Sequence, residues 1–399
     1  MPNKPSIKPS IKSSKGAILG AAFLMATSAI GPGFLTQTTV FTSALGASFG
    51  FVILTTILLD IGAQLNIWRV LTITNLTAQD LSNKLLPGLG YFLAALILLG
   101  GLAFNIGNIA GAGLGLNVLT GIDTAYGAIL SCLFALFLFF LKDAGPAIDV
   151  FTKVLGIIMI LLTMYVAISS NPPIGEAISK SFFPSIIDPA SIVTIVGGTV
   201  GGYISFAGAH RLLEAVITGK ENIPQVNRSA VTGIIVTGIM RSLLFIAALG
   251  VVSAGGILDA ANPPASVFKL AAGNVGYRLF GVVMWSAAIT SVVGAAYTSI
   301  SFIKTFHPWL QKNVSALTMG LIVFSTFIFI VIGKPVKVLV VAGALNGLIL
   351  PVALAVILIA ANRKRLMGSY KHPVWMQLSG WVVVVVMSWL SFLLLKQWM

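Results

Sequence analysis

Charged residues are scarce in this chain. They make up 9% of its 399 residues, and Asp and Glu together number only 10. Soluble domains average about 25% charged residues, so a water-facing globule is excluded. Cysteine is nearly missing. Cys132 stands alone, which excludes an internal disulfide and a cysteine metal cluster. No P-loop, His/Glu zinc motif or nucleophile elbow occurs, so the chain reads as a non-enzyme with no resident cofactor. What is abundant is apolar. Hydrophobic residues reach 57%, and mean hydropathy is +1.01. Apolar runs long enough to cross a bilayer recur throughout. They are continuous rather than alternating, which excludes a β-barrel. The class is therefore all-α integral membrane, with the lipid bilayer as first partner.

The formal net charge of +14 reads as membrane topology rather than nucleic-acid binding, because cytoplasmic loops collect Lys and Arg. Eleven spans can be drawn, at about 16–46, 50–72, 89–117, 124–142, 150–170, 190–218, 229–254, 275–303, 314–333, 336–361 and 375–396. The polar, basic, Pro/Ser-rich stretch 1–15 is expected to be a disordered cytoplasmic tail, and 16–399 a single transmembrane domain. Lys4, Lys8, Lys12 and Lys15 in that tail match Arg363, Lys364, Arg365 and Lys371 after the tenth span. Both basic segments fall on one side for this count. The expected topology in the cell membrane is N-terminus cytoplasmic, C-terminus outside.

Two spans are interrupted where interruption is most costly. Gly31-Pro32-Gly33 lies in the first, and Gly197-Gly198-Thr199-Val200-Gly201-Gly202 in the sixth. Unpaired backbone in lipid costs several kcal/mol and is tolerated only where it lines a cavity or binds something. A kink or a small-residue packing patch would explain one break. Two breaks, five spans apart, occupy matching positions in two halves (about 16–170 and 190–361) of opposite orientation. That is the pattern of an inverted-repeat secondary transporter, with half-helix ends at the site.

Three stretches carry a family resemblance: "GAGLGLNVLTGID" (Gly111–Asp123), "FTKVLGIIMILL" (Phe151–Leu162) and "NGLILPVALAVILIAANRKRLMG" (Asn346–Gly368). With them the chain resembles the Nramp family of metal-ion transporters over nearly all its spans. The resemblance implies a LeuT-type five-plus-five inverted repeat with broken helices 1 and 6. The family's helix-one motif is Asp-Pro-Gly-Asn, whose Asp and Asn bind the metal. Here Pro32-Gly33 keeps the centre, while Gly31 and Phe34 replace the two ligands. In helix six the family's Met ligand becomes Gly201 and its first His becomes Tyr203. A two-residue shift brings His210 onto the second His. The two acids of helix three become Asn105 and Asn108, which share a helix face.

Other residues can still carry chemistry. Asp60 lies midway along the second span, where a carboxylate can hold a coupling proton or sodium ion, or pair with Arg69 or Arg241. His210 and Glu214 stand at i,i+4, as a pair or gate at the cytoplasmic mouth or as a proton relay through His210. Arg241, well inside the seventh span, needs a carboxylate, a carbonyl or an anionic substrate, unless it snorkels. Thr27, Ser28, Gln37, Thr38 and Thr39 surround the first break, and some of these should face the cavity unless they bond back to their own helix. The substrate-binding set is expected to be Thr27, Ser28, Gly31, Pro32, Gly33, Phe34, Gln37, Gly201, Gly202 and Tyr203. The coupling or polar-relay set is Asp60, Asn105, Asn108, His210, Glu214 and Arg241. No metal ligand is assigned.

A polar but uncharged pocket suits a small organic solute better than a dehydrated dication. The expected function is alternating access, coupled to a proton or sodium ion, with a small polar or anionic organic solute. The alternatives are divalent-metal transport, as the resemblance implies, and a non-transporting sensor or partner subunit.

Overall fold

A computed structural model describes residues 30–138 and 145–399, and the side chains of 145–153 are not described. The expected tail, the start of the first span, and Thr27 and Ser28 lie outside the described residues. The described residues are all helix and connection, without strands. The main helices are α1 (Pro32–Leu45), α2 (Phe49–Thr74), α3 (Ala78–Leu85), α4 (Leu89–Thr120), α5 (Thr124–Leu138), α6 (Gly145–Ser169) and α7 (Ile174–Phe182). They continue with α8 (Pro189–Thr199), α9 (Ile204–Glu214), α10 (Ile223–Ser253), α11 (Pro263–Ser301), α12 (Val314–Ile332), α13 (Pro335–Ala361) and α14 (Val374–Trp398).

By length and composition, eight helical stretches among the described residues can cross a bilayer, or nine if the bent pair α6–α7 counts as one. This differs from the eleven spans drawn from sequence. One cause is that α1 and α2 join through a short 3₁₀ turn into a single stretch, Pro32–Thr74. Another is that α5 has only 15 described residues. The stretch Pro189–Glu214, which is α8 and α9 together, is central: its most apolar window is 100% buried, against 28% for α12 and α14. The outer helices show Leu378, Val385, Trp389 and Phe392 to the lipid, as apolar side chains should where the solvent is hydrocarbon.

Close helix approach is bought by glycine at two decisive points. A Cβ at Gly111 of α4 would lie 2.1 Å from Pro32 Cβ, so α4 can press on the first residue of α1. A Cβ at Gly197 of α8 would lie 1.9 Å from the Gly343 carbonyl oxygen and 2.3 Å from the Gly347 nitrogen, so α8 lies backbone-to-backbone on α13.

Toward the C-terminal end of α2, α14 is tied to it. Asn66 Nδ2 donates to the carbonyls of Gly62 (2.8 Å) and Met376 (2.9 Å). Asn66 Oδ1 is then the acceptor for His372 Nε2–H at 2.7 Å, which leaves Nδ1 bare, without a partner. Arg69 donates to Met376 Sδ at 2.8 Å, so it belongs to this corner and not to Asp60. Burial, and then the Arg69 charge, push the loop residue His372 down from 6.5 to about 4. The unfolded chain therefore takes the proton first. This contribution to stability is complete above about pH 6.5 and falls as the pH drops toward 4. The loss should be about 2 kcal/mol, measured as a falling melting temperature in detergent. His372→Gln should flatten it.

Candidate functional site

Helix α1 starts where sequence places the first break, and the half-helix expected before it lies outside the described residues. Gly31 is extended (φ −111°, ψ −170°) and caps α1, and Pro32 fills the first helical position. Proline there loses no hydrogen bond and presets the helical φ. No side chain caps this end. The space beside Gly31 is open enough for a Cβ, which would meet Ser291 Oγ at 3.5 Å and Asn108 Oδ1 at 3.7 Å.

The second break starts later than expected but within the expected stretch. Gly197, Gly198 and Thr199 remain helical, and the chain leaves the helix only at Val200–Tyr203. Gly197 serves the contact with α13, so its lack of side chain does not signal a break. The freed backbone is met by one residue of α13. Asn346 accepts Gly202 N–H at its carbonyl (3.2 Å) and Tyr203 N–H at its Oδ1 (3.3 Å). Its Nδ2 donates to the carbonyls of Gly100 and Ala342, both at 3.0 Å. Ser205 Oγ donates to the Val200 carbonyl at 2.8 Å. Gly201 and Gly202 turn their Cβ-less sides to Asn346 and Ile349 of α13. They allow this bracing, with no side chain for a solute to meet. Asn346→Leu should strand at least two buried backbone groups at about 1–3 kcal/mol each. Its melting temperature in detergent should fall, and ligand binding should be lost with it.

Arg241 of α10 joins the two breaks. Its guanidinium carbon lies 4.4 Å from the centroid of Phe34 in the first turn of α1. Its Nη2 donates to Thr199 Oγ1, the last residue of α8, at 3.2 Å. Its Nη1 is buried without a partner. Phe34 is 2% exposed and forms a wall of the apolar core rather than an open aromatic surface. Asp60 of α2 is buried, with Oδ1 unpartnered, and no cation lies within 4 Å of it among the described residues. Arg241 is the charged neighbour whose field reaches it. Gln37 points from α1 into the same central region. Its Nε2 donates to the Leu339 carbonyl (2.8 Å), and its Oε1 is unpartnered and close to Gly198.

The remaining candidates are dispersed. Thr38 and Thr39 bond back to the carbonyls of Phe34 (2.7 Å) and Leu35 (3.0 Å), as mid-helix threonines do. Asn105 donates to Ser325 of α12 at 3.1 Å, while Asn108 stands by Gly31. The His210–Glu214 pair does not form. Glu214 pairs with Arg211 (3.6 Å) and Lys304 (3.8 Å), whose full charges attract it. His210 instead lies 4.4 Å from Phe302, and Tyr203 lies 6.0 Å from Phe104. Sequence reasoning missed Asn346 and Thr199 as structural partners. A lone Asn in the apolar run "AGALNGLILP" was the available signal for the first.

A cavity of about 890 Å³ opens on one face. Asp123, Asp259, Lys334 and Lys337 lie around it, and Thr194 and Ala344 line it deeper. Thr194 is five residues before Thr199, about 8 Å along α8. Trp398 and Asp123 share this cavity, so the C-terminal helix ends on the same face as the α4–α5 loop. Among the described residues, no three His, Cys, Asp or Glu side chains converge as a metal site.

The natural resistance-associated macrophage protein-like (Nramp) profile matches residues 22–397. The chain belongs to the Nramp family. It is 59% identical over 371 residues to "Uncharacterized membrane protein YcsG" of Bacillus subtilis (strain 168), covering 93% of this chain and 92% of that one. It is 24% identical over 417 residues to a divalent metal cation transporter MntH of Pediococcus pentosaceus, covering 96% and 91%. A crystal structure of a variant of the manganese transporter of Eremococcus coleocola superposes with TM-score 0.72 at 16% identity, covering 97% of this chain and 88% of that one. This Nramp protein therefore has the family's LeuT-type inverted-repeat fold. It is a membrane protein of a transporter family.

Proposed function

We propose that this Nramp protein is an ion-coupled secondary transporter whose solute is a small organic anion rather than a transition metal. The observation that carries this is Arg241, a buried cation touching both helix breaks through Phe34 and Thr199, with Nη1 unpartnered. A fixed positive charge beside the site repels a dication and attracts a carboxylate. The half-helix α1 also begins without a side-chain cap, which leaves backbone N–H groups and a positive dipole end for an anion. Gly31 and Phe34 supply no oxygen side chain where the resemblance to metal-transporting relatives implies ligands. Alternating access would open the site in turn to the 890 Å³ cavity and to the opposite face. From charge asymmetry, the N-terminus is cytoplasmic and the cavity external.

The test is a thermal-shift screen of purified protein against manganese chloride and potassium salts of lactate, pyruvate, glutamate and succinate. Stabilisation by at least one carboxylate and none by manganese is the expected result. Stabilisation by manganese alone would overturn the proposal in favour of metal transport. A protein that binds a carboxylate but never transports it in liposomes would be a sensor.

A further inference from the structure

We propose that Asp60 is the proton carrier of this transporter, and that an arriving anion loads it by drawing the Arg241 charge away from it. This rests on the organic-anion reading above and adds the coupling ion, its residue and the trigger.

The placement comes from helix register. Gln64 of α2 donates to the Ala230 carbonyl of α10 at 3.1 Å. A Cβ on Gly238 would meet Ile57 Cδ1 at 2.6 Å. The two helices therefore run antiparallel, and Asp60 lies between these contacts. Arg241 starts about one turn beyond Gly238, and side chains lean toward the N-terminus of their own helix. Its guanidinium is thus directed back toward the level of Asp60. The second break is close by, since Ser205 Oγ lies 3.4 Å from Gln64 Oε1, one turn from Asp60.

Asp60 and Arg241 face each other without touching. Asp60 Oδ1 and Arg241 Nη1 are both buried and both unpartnered, and no nitrogen–oxygen approach within 4 Å joins them. Among the charges on α10, Arg241 acts on Asp60, and Arg228 lies far along the helix. Helix α9 brings His210, Arg211 and Glu214, and α7 brings Glu176 and Lys180. Lys337 and Lys396 stand on α13 and α14, on the cavity side. None of these is a charged neighbour of Asp60 in the way that Arg241 is.

An unbonded guanidinium edge is free to take a carboxylate. Once it does, the Arg241 charge is taken up by the solute and no longer favours an ionised Asp60. Two negative charges in a low-dielectric centre repel strongly, and a proton resolves this. It comes from water on the open side, forms an O–H bond at the Asp60 carboxylate, and breaks away on the other side when the solute leaves. One anion and one proton cross together, so no net charge moves. Sodium fits poorly, because a second cation would sit beside a guanidinium that cannot be neutralised.

The experiment uses purified full-length protein in weakly buffered, sodium-free detergent solution with a pH indicator. The potassium carboxylates above are the probes. Wild-type protein should take up one proton per carboxylate bound, and its affinity should rise up to about tenfold per pH unit lowered. Asp60→Asn, which mimics the protonated form, should bind the same carboxylate with neither proton uptake nor pH dependence. Asp60→Glu should restore both, which separates a carrier from a residue needed only for folding. Carboxylate binding without proton uptake in wild type, uptake retained in Asp60→Asn, or a sodium requirement would each overturn the coupling proposal alone. Failure of every carboxylate to bind wild type would overturn the substrate reading, and the coupling with it.

Discussion

Replacing Arg241 by Gln should weaken carboxylate binding by between about 30- and 3,000-fold. Removing one partner of a buried, hydrogen-bonded charge pair costs about 2–5 kcal/mol, and 1.4 kcal/mol is tenfold. The side chain is held from two sides, by the Phe34 ring at 4.4 Å and by Thr199 Oγ1 at 3.2 Å. That fixes the guanidinium while Nη1 stays open. Lys at this position should recover only part of the affinity, because an ammonium is a point charge without the planar fork. Phe34→Leu removes the ring but keeps the cation, and should cost about 1 kcal/mol. Isothermal titration with the carboxylate found in the screen measures all three. Arg241→Gln leaves Asp60 uncompensated, so the double variant with Asp60→Asn serves as its folding control. Unchanged affinity in both would remove Arg241 from the site.

The second large effect is structural. Gly197→Val should abolish properly folded protein. The new Cβ would stand 1.9 Å from the Gly343 carbonyl oxygen and 2.3 Å from the Gly347 nitrogen. Both are backbone atoms of α13, so no side-chain rotation relieves the clash. Overpacking typically costs about 1–3 kcal/mol, and here the helices themselves must part. Parting them also pulls Asn346 from the α8–α9 break, since Asn346 is on the same stretch of α13. Gly320→Ala is the control: nothing lies within 4 Å of that Cβ, and alanine is the better helix former by about 1 kcal/mol. Size-exclusion profiles and melting temperatures in detergent should separate the two variants sharply.

The scaffold was legible because its physics is local and repetitive. Apolar runs, proline and paired breaks are readable without knowing what touches what. The start of α1 was placed correctly because Pro32 at a helix start has one strong meaning. The second break was drawn too early at its start because glycine has two. At Gly197 it permits contact with α13, whereas at Gly201 and Gly202 it permits departure from the helix, and sequence does not separate these uses.

The site was less legible because its partners are far apart in the chain. Asn346 braces Tyr203 across 143 positions, and Thr199 meets Arg241 across 42. His210 and Glu214 misled for the opposite reason: i,i+4 spacing makes contact available, but Lys304, from the end of another helix, offers Glu214 a full charge.

The central claim is that the solute is a small organic anion and not a metal. It is tested most directly by transport into liposomes holding the purified protein, with an inward proton gradient. Radiolabelled carboxylate from the binding screen and manganese, followed by a metal-sensitive dye, are offered separately. The account predicts that the carboxylate accumulates, that Arg241→Gln stops it, and that manganese stays outside. Manganese entry that requires this protein, with no carboxylate entering, would contradict it.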